Sequence, residues 1–122
     1  MITKRIIPRL NVRDGKVLNK RGLETLGIGT LVSLAQAYSD GGADELFFYD
    51  TIATAEEKAL FTEVLCKVAK SVFIPLTVGG GVDSIADFER VLSCGADKVS
   101  VNTGAVRNPA FVGEAARKYG DQ

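Results

Sequence analysis

Apolar positions along the chain switch repeatedly between a two-residue and a 3.6-residue period. From Arg5 to Val12 the alternation is strict: Ile6, Pro8, Leu10 and Val12 fall on one face, Arg5, Ile7, Arg9 and Asn11 on the other, as in a strand. Pro8 has no N–H to give to a ladder, which suits an edge strand. Asp14-Gly15 signals a turn. From Lys16 to Thr30 the glycines Gly22, Gly27 and Gly29 mark a long loop of the kind that serves as a lid or binding loop. Leu31, Val32, Leu34, Ala35 and Tyr38 then repeat at helical spacing until Gly41-Gly42.

A second strand runs over Glu45 to Tyr49 and ends in Asp50-Thr51. A helix follows from about Glu56 to Lys70, with Leu60, Val64, Leu65, Val68 and Ala69 on its apolar side. Phe73 to Val78 predicts the third strand, Gly79-Gly80-Gly81 a turn, Ser84 to Cys94 an amphipathic helix, and Asp97 to Val101 the fourth strand, closing in Asn102-Thr103-Gly104. Asn108-Pro109 starts a last helix that Gly120 stops after Tyr119. Four strands, each followed by a helix, predict an α/β fold with a parallel sheet. The polar residues Asn11, Asp50, Gly79 to Gly81 and Asn102-Thr103 end those strands, at the sheet edge where parallel α/β folds build their sites.

At that edge Gly80, Gly81, Asn102 and Thr103 compose a candidate phosphate cradle. The glycines let backbone approach an anion with no Cβ in the way, and Asn102 and Thr103 add side-chain donors. A plain strand-to-helix turn is the alternative reading of the glycines alone.

Composition narrows the chemistry. The 122 residues predict a single domain over 1–122, large enough to hold a core. Lys and Arg total 15, Asp and Glu total 15 and His is absent, so charge points neither to nucleic acid nor to a membrane. Lack of His removes the commonest metal ligand and neutral-pH base, leaving carboxylates, amides and lysines; no metal or cofactor is expected. Cys66 and Cys94 lie in helical patterns among apolar neighbours and predict buried free thiols. With no signal-peptide pattern and no apolar run of spanning length, a cytoplasmic location is expected.

Longer stretches carry a resemblance. Lys4-Arg5-Ile6-Ile7, Gly42-Ala43-Asp44-Glu45-Leu46, Asp50-Thr51, Ile74-Pro75-Leu76-Thr77-Val78-Gly79-Gly80-Gly81-Val82 and Gly95-Ala96-Asp97-Lys98-Val99-Ser100-Val101-Asn102-Thr103 resemble the cyclase subunit of imidazole glycerol phosphate synthase. That family is an eight-stranded barrel of about twice this length, and the resemblance reaches its first half. It implies a (βα)4 half of a TIM-type barrel: a parallel four-stranded sheet with helices on the outer face. It also implies a phosphate site at Gly81, Asn102 and Thr103, one of two sites that a doubly phosphorylated ribonucleotide would span.

The departures bear on activity. The family's first-strand catalytic aspartate falls on Asn11, whose amide can hydrogen-bond but cannot exchange a proton at neutral pH. Asp50 is then the one ionisable carboxylate expected at the ligand edge. The family's loop lysine falls on Asn19, with Lys20 adjacent. Arg9 stands where the family has a small inward residue, and would need a carboxylate or water if buried. Arg5, Glu45 and Lys98 match part of a charged ring through which ammonia passes from a glutaminase subunit; mutual pairing of strand-start charges is the plainer reading.

Half a barrel would leave two unpaired edges and an inner face bearing Ile7, Phe47 and Tyr49, so self-association into a homodimer or higher oligomer is expected. The expected function is binding of a phosphate or phosphorylated ligand without full cyclase activity. The alternative is cyclase turnover when the half assembles with its twin or with a second half-barrel on another chain.

Overall fold

The computed structural model describes residues 3–13, 16–18, 25–26, 28–51 and 55–120. Its elements run β1 (Arg9–Arg13), β2 (Lys16–Leu18), β3 (Thr25–Leu26), α1 (Ile28–Asp40), β4 (Leu46–Asp50), α2 (Ala55–Ser71), β5 (Leu76–Gly79), α3 (Ile85–Ser93), β6 (Lys98–Ser100), α4 (Thr103–Arg107) and α5 (Ala110–Tyr119). One six-stranded sheet has the order β3-β2-β1-β4-β5-β6. Within it β1, β4, β5 and β6 are parallel neighbours in chain order.

The expected four-stranded sheet is therefore corrected. β2 and β3 add antiparallel pairs beside β1 inside the segment read from sequence as a loop, and α1 starts at Ile28 rather than Leu31. Strands of three and two residues are too short to display a period. The turn at Asp14-Gly15 and part of the expected lid, residues 19–24 and 27, lie outside the described residues, Gly22, Gly27, Asn19 and Lys20 among them.

It follows that β1 is not an edge strand. Pro8 is tolerated for a different reason: it precedes β1, and the pairing with β2 involves only Val12 and Arg13. The Pro8 carbonyl still accepts from Phe47 N–H at 2.9 Å, and the Ile6 carbonyl from Asp44 N–H at 3.0 Å, so the chain tracks β4 before the strand proper begins.

The strand periodicity sorts the two faces. Leu10, Val12, Leu46, Phe48, Leu76 and Val78 are buried against Leu31 and Ala35 of α1, Phe61, Val64, Leu65 and Val68 of α2 and Val91 of α3. The opposite face carries two cross-strand rows, Arg9–Phe47–Thr77–Lys98 and Asn11–Tyr49–Gly79–Ser100. A smaller cluster seats α5 on α3: Phe88 packs edge-on to Phe111 at 5.6 Å and stacks on Tyr119 at 5.7 Å.

Two copies of a Gly-Ala-Asp signal start β4 and β6 by one device. Asp44 Oδ2 accepts from Ile6 N–H at 2.7 Å, and Asp97 Oδ2 accepts from Leu76 N–H at 2.7 Å. In each case the aspartate's own N–H donates back, to the Ile6 carbonyl at 3.0 Å and the Leu76 carbonyl at 2.8 Å. The short acceptor arm of Asp suits this local pairing, which sets the register of adjacent parallel strands.

The free-thiol expectation is also corrected. Cys66 of α2 and Cys94, the residue that caps α3, form a disulfide with Cα atoms 4.6 Å apart. Both cysteines are half-buried. Packing of the two helices on the same sheet face brings together residues 28 positions apart, which linear spacing cannot reveal.

Candidate functional site

β5 runs straight into the glycine turn, and the turn lies against the end of β4. Gly80 has φ +88°, and a Cβ there would fall 2.0 Å from the Asp50 carbonyl oxygen. Only glycine fits such an approach in the left-handed region. At the next strand end Gly104 abuts the residues that follow the turn, where a Cβ would meet Asp83 Cα at 2.8 Å. The ends of β4, β5 and β6 are thereby drawn together.

A cleft of about 550 Å³ opens where they meet. Gly80, Gly81, Asn102, Thr103 and Asp50 all line it, so these sequence candidates come together at one end of the sheet. Asn102 precedes α4 without a side-chain cap to it. Asp50 is buried, and its strand end is tied to β1 by Thr51, whose N–H and Oγ1 donate to the Val12 carbonyl at 2.9 and 3.1 Å. Two charged residues that the sequence reading missed also line the cleft, Asp83 and Arg107. Asp50 is thus not its one carboxylate. A five-residue helix is too short for periodicity to announce, yet Thr103 and Arg107 are four apart on α4 and share a face.

Asn11 does not line the cleft. It lies beside Tyr49 in the cross-strand row, and its Oδ1 accepts from Arg9 Nε at 2.8 Å. Arg9 in turn lies over the Tyr49 ring at 4.3 Å and the Phe47 ring at 5.6 Å. Arg9 is exposed, so the partner it would need if buried is not called for; an amide and two π faces hold it. The same stacking leaves Phe47 and Tyr49 half-buried, so Ile7, 41% exposed, is the bare apolar residue of the three expected there.

At the opposite, strand-start end Glu45 is buried between two cations. Its Oε1 accepts from Arg5 Nη1 and lies 3.6 Å from Lys98 Nζ. The three charges named from the sequence therefore meet as one ion-paired group.

Behind the cleft, α3 is anchored by Asp87. Ser84 caps the helix by accepting from Asp87 N–H at 3.2 Å, and Asp87 Oδ2 accepts from Asp83 N–H at 3.2 Å and from Lys58 Nζ at 3.3 Å. Arg90 adds an ion pair at 3.0 Å. Burial pushes the Asp87 carboxyl up, but hydrogen bonds with the Asp83 side chain and backbone and with Ser84, together with the Lys58 charge, outweigh it and lower the pKa from 3.8 to about 2. A depressed folded-state pKa means that the unfolded chain binds more protons in that window. The stabilisation is therefore full above about pH 4 and lost as pH falls toward 2. Asp87→Asn is expected to cost about 2 kcal/mol at neutral pH. Urea midpoints measured from pH 7 to pH 2 should show the gap to wild type closing in acid; a constant gap would assign the loss to packing.

Among the described residues no group of three or more His, Cys, Asp or Glu could hold a metal ion, and no helix is long and apolar enough to cross a membrane.

Comparison with known proteins places these features in a family. Residues 5–122 match the histidine biosynthesis protein family. The chain is 51% identical over 125 residues to imidazole glycerol phosphate synthase subunit HisF of Methanocaldococcus jannaschii, covering 100% of this chain and 45% of that protein. It is 46% identical over 125 residues to the same subunit of Alkaliphilus metalliredigens and of Bacillus cereus, covering 100% of this chain and 49% of each. The chain spans about half the length of the curated relatives it matches.

Proposed function

The chain belongs to the histidine biosynthesis protein family, a family of TIM barrels, and from that membership we propose that it works as a (βα)4 half-barrel binding a phosphorylated ligand at its strand C-termini without full cyclase turnover. The observation that carries this reading is the convergence of Gly80, Gly81, Asn102 and Thr103 on one cleft. Backbone at a glycine turn, an amide and a hydroxyl are donors suited to phosphate oxygens. The half-barrel reading is supported by four parallel strands in chain order, with helices packed on one face and the two cross-strand rows on the other. In a barrel that second face is the interior.

The chemistry favours binding over turnover. Asn11 has an amide where proton transfer would need a carboxylate, and that amide is engaged with Arg9. Titration with inorganic phosphate tests the binding claim. Thr103→Val, which removes one donor, is expected to weaken it about tenfold, and equal affinity would remove the cradle. Incubation with the cyclase substrate and ammonia tests the turnover claim, and product above the buffer rate would favour the alternative, a competent cyclase formed by two halves. That alternative draws on the identity to full-length HisF subunits across the whole chain.

Self-association belongs to the same proposal. The β2–β3 hairpin covers one side of β1, but β6 has a strand neighbour on one side only among the described residues. Ile6 is 69% exposed, Ile7 41% and Phe73 92%. Such an edge and such apolar residues suit a second copy or another half-barrel. A glutaminase subunit is the partner that the family resemblance implies for the end bearing Arg5, Glu45 and Lys98. Light scattering across a concentration series is expected to report a dimer or larger species, and a monomer at every concentration would reject self-association.

A further inference from the structure

Arg107 stands apart in the cleft. It is the one Lys or Arg among the described lining residues, and among the described residues it pairs with no carboxylate. The other charges there have partners. Asp83 lies 3.6 Å from Lys58 Nζ, and Asp50 is buried and bonded within the fold. An exposed guanidinium on the same α4 face as Thr103, with its donors uncommitted, is the strongest unspent interaction in the cleft.

We infer that Arg107 is a specificity-determining residue of this site, forming paired N–H···O bonds to a phosphate and selecting a dianionic phosphate monoester over a monoanionic diester. The inference rests on the phosphate reading above and adds to it what amide, hydroxyl and backbone donors cannot supply: a full positive charge. Neutral donors recognise oxygen atoms whatever the net charge of the group. A guanidinium makes two parallel bonds to a terminal phosphate face, and its attraction scales with the charge on that face. A diester keeps two unsubstituted oxygens for the fork but carries only half the charge, so the guanidinium holds it less tightly. The carboxylate of Asp83 beside the turn sharpens the need for such a cation, since without it the cleft offers an anion little net attraction.

The probes are inorganic phosphate and dimethyl phosphate, titrated at pH 8 and low salt into wild type, Arg107→Gln and Thr103→Val, with thermal melts run alongside. Arg107→Gln is expected to weaken inorganic phosphate about tenfold, to weaken dimethyl phosphate by a clearly smaller factor, and so to narrow the preference between them. The melting temperature should hold, because the side chain is exposed and unpaired. Thr103→Val should weaken both probes alike. If Arg107→Gln retains wild-type affinity and preference while Thr103→Val binds more weakly, the Arg107 assignment is overturned and the phosphate site stands. If wild type binds neither probe, the phosphate reading falls and the assignment with it.

Discussion

Gly80→Ala is expected to destabilise the protein by roughly 2–4 kcal/mol and to abolish phosphate binding at the cleft. Two penalties combine. An L-residue at φ +88° carries the ordinary left-handed strain of about 1–2 kcal/mol. The added methyl would also fall 2.0 Å from the Asp50 carbonyl oxygen, a contact that only movement of the backbone can relieve. Such movement separates the turn from the end of β4, which is the geometry that forms the cleft. Gly42→Ala supplies the control, because Gly42 has φ +91° and nothing within 4 Å of its Cβ position. That variant should show the strain alone, about 1 kcal/mol. Urea unfolding of both measures the difference; equal losses would mean that the turn does not press on Asp50.

Reduction of the Cys66–Cys94 disulfide is expected to cost roughly 3–4 kcal/mol, the loop-entropy value for a cross-link spanning 28 positions. The closed loop contains β5, the glycine turn and α3, so the bond restrains in the unfolded chain the segment that supplies half of the cradle. Urea midpoints with and without reductant should differ for wild type and coincide for the Cys66→Ala/Cys94→Ala double variant. A thiol titration of the unfolded, unreduced protein gives the direct check: the described structure has no free cysteine. In a reducing compartment both thiols would stay open and this increment would vanish, tying stability to redox conditions.

These effects also mark how far the chain could be read residue by residue. The alternation around Leu10 and Val12, and the apolar run ending in Val78, announced strands because each buries one whole face, and the helix between successive strands made them parallel. The helices over Ala55–Ser71, Ile85–Ser93 and Ala110–Tyr119 were legible for the same reason, each carrying a stripe of apolar residues at 3.6-residue spacing. Gly80, Gly81, Asn102 and Thr103 were legible as neighbours because strands joined by a crossover helix must end at the same edge of a sheet.

Other features had no local signal. Periodicity cannot register β2 and β3, which are too short, or α4, whose five residues are mostly exposed. Nor could it join Cys66 to Cys94, or turn Arg9 out over Tyr49 while its Nε bonds Asn11. The order of β1, β4, β5 and β6 with the longer helices that follow them, the buried face of those strands and the chemistry at their ends were determined by the sequence itself, since they follow from spacing and residue type. Only the tertiary structure decided which side chains meet across strands and helices: the Arg5–Glu45–Lys98 group, the Lys58–Asp87 anchor and the entry of Arg107 into the cleft. Those contacts depend on relative placement of elements tens of residues apart, and no local pattern carries that information.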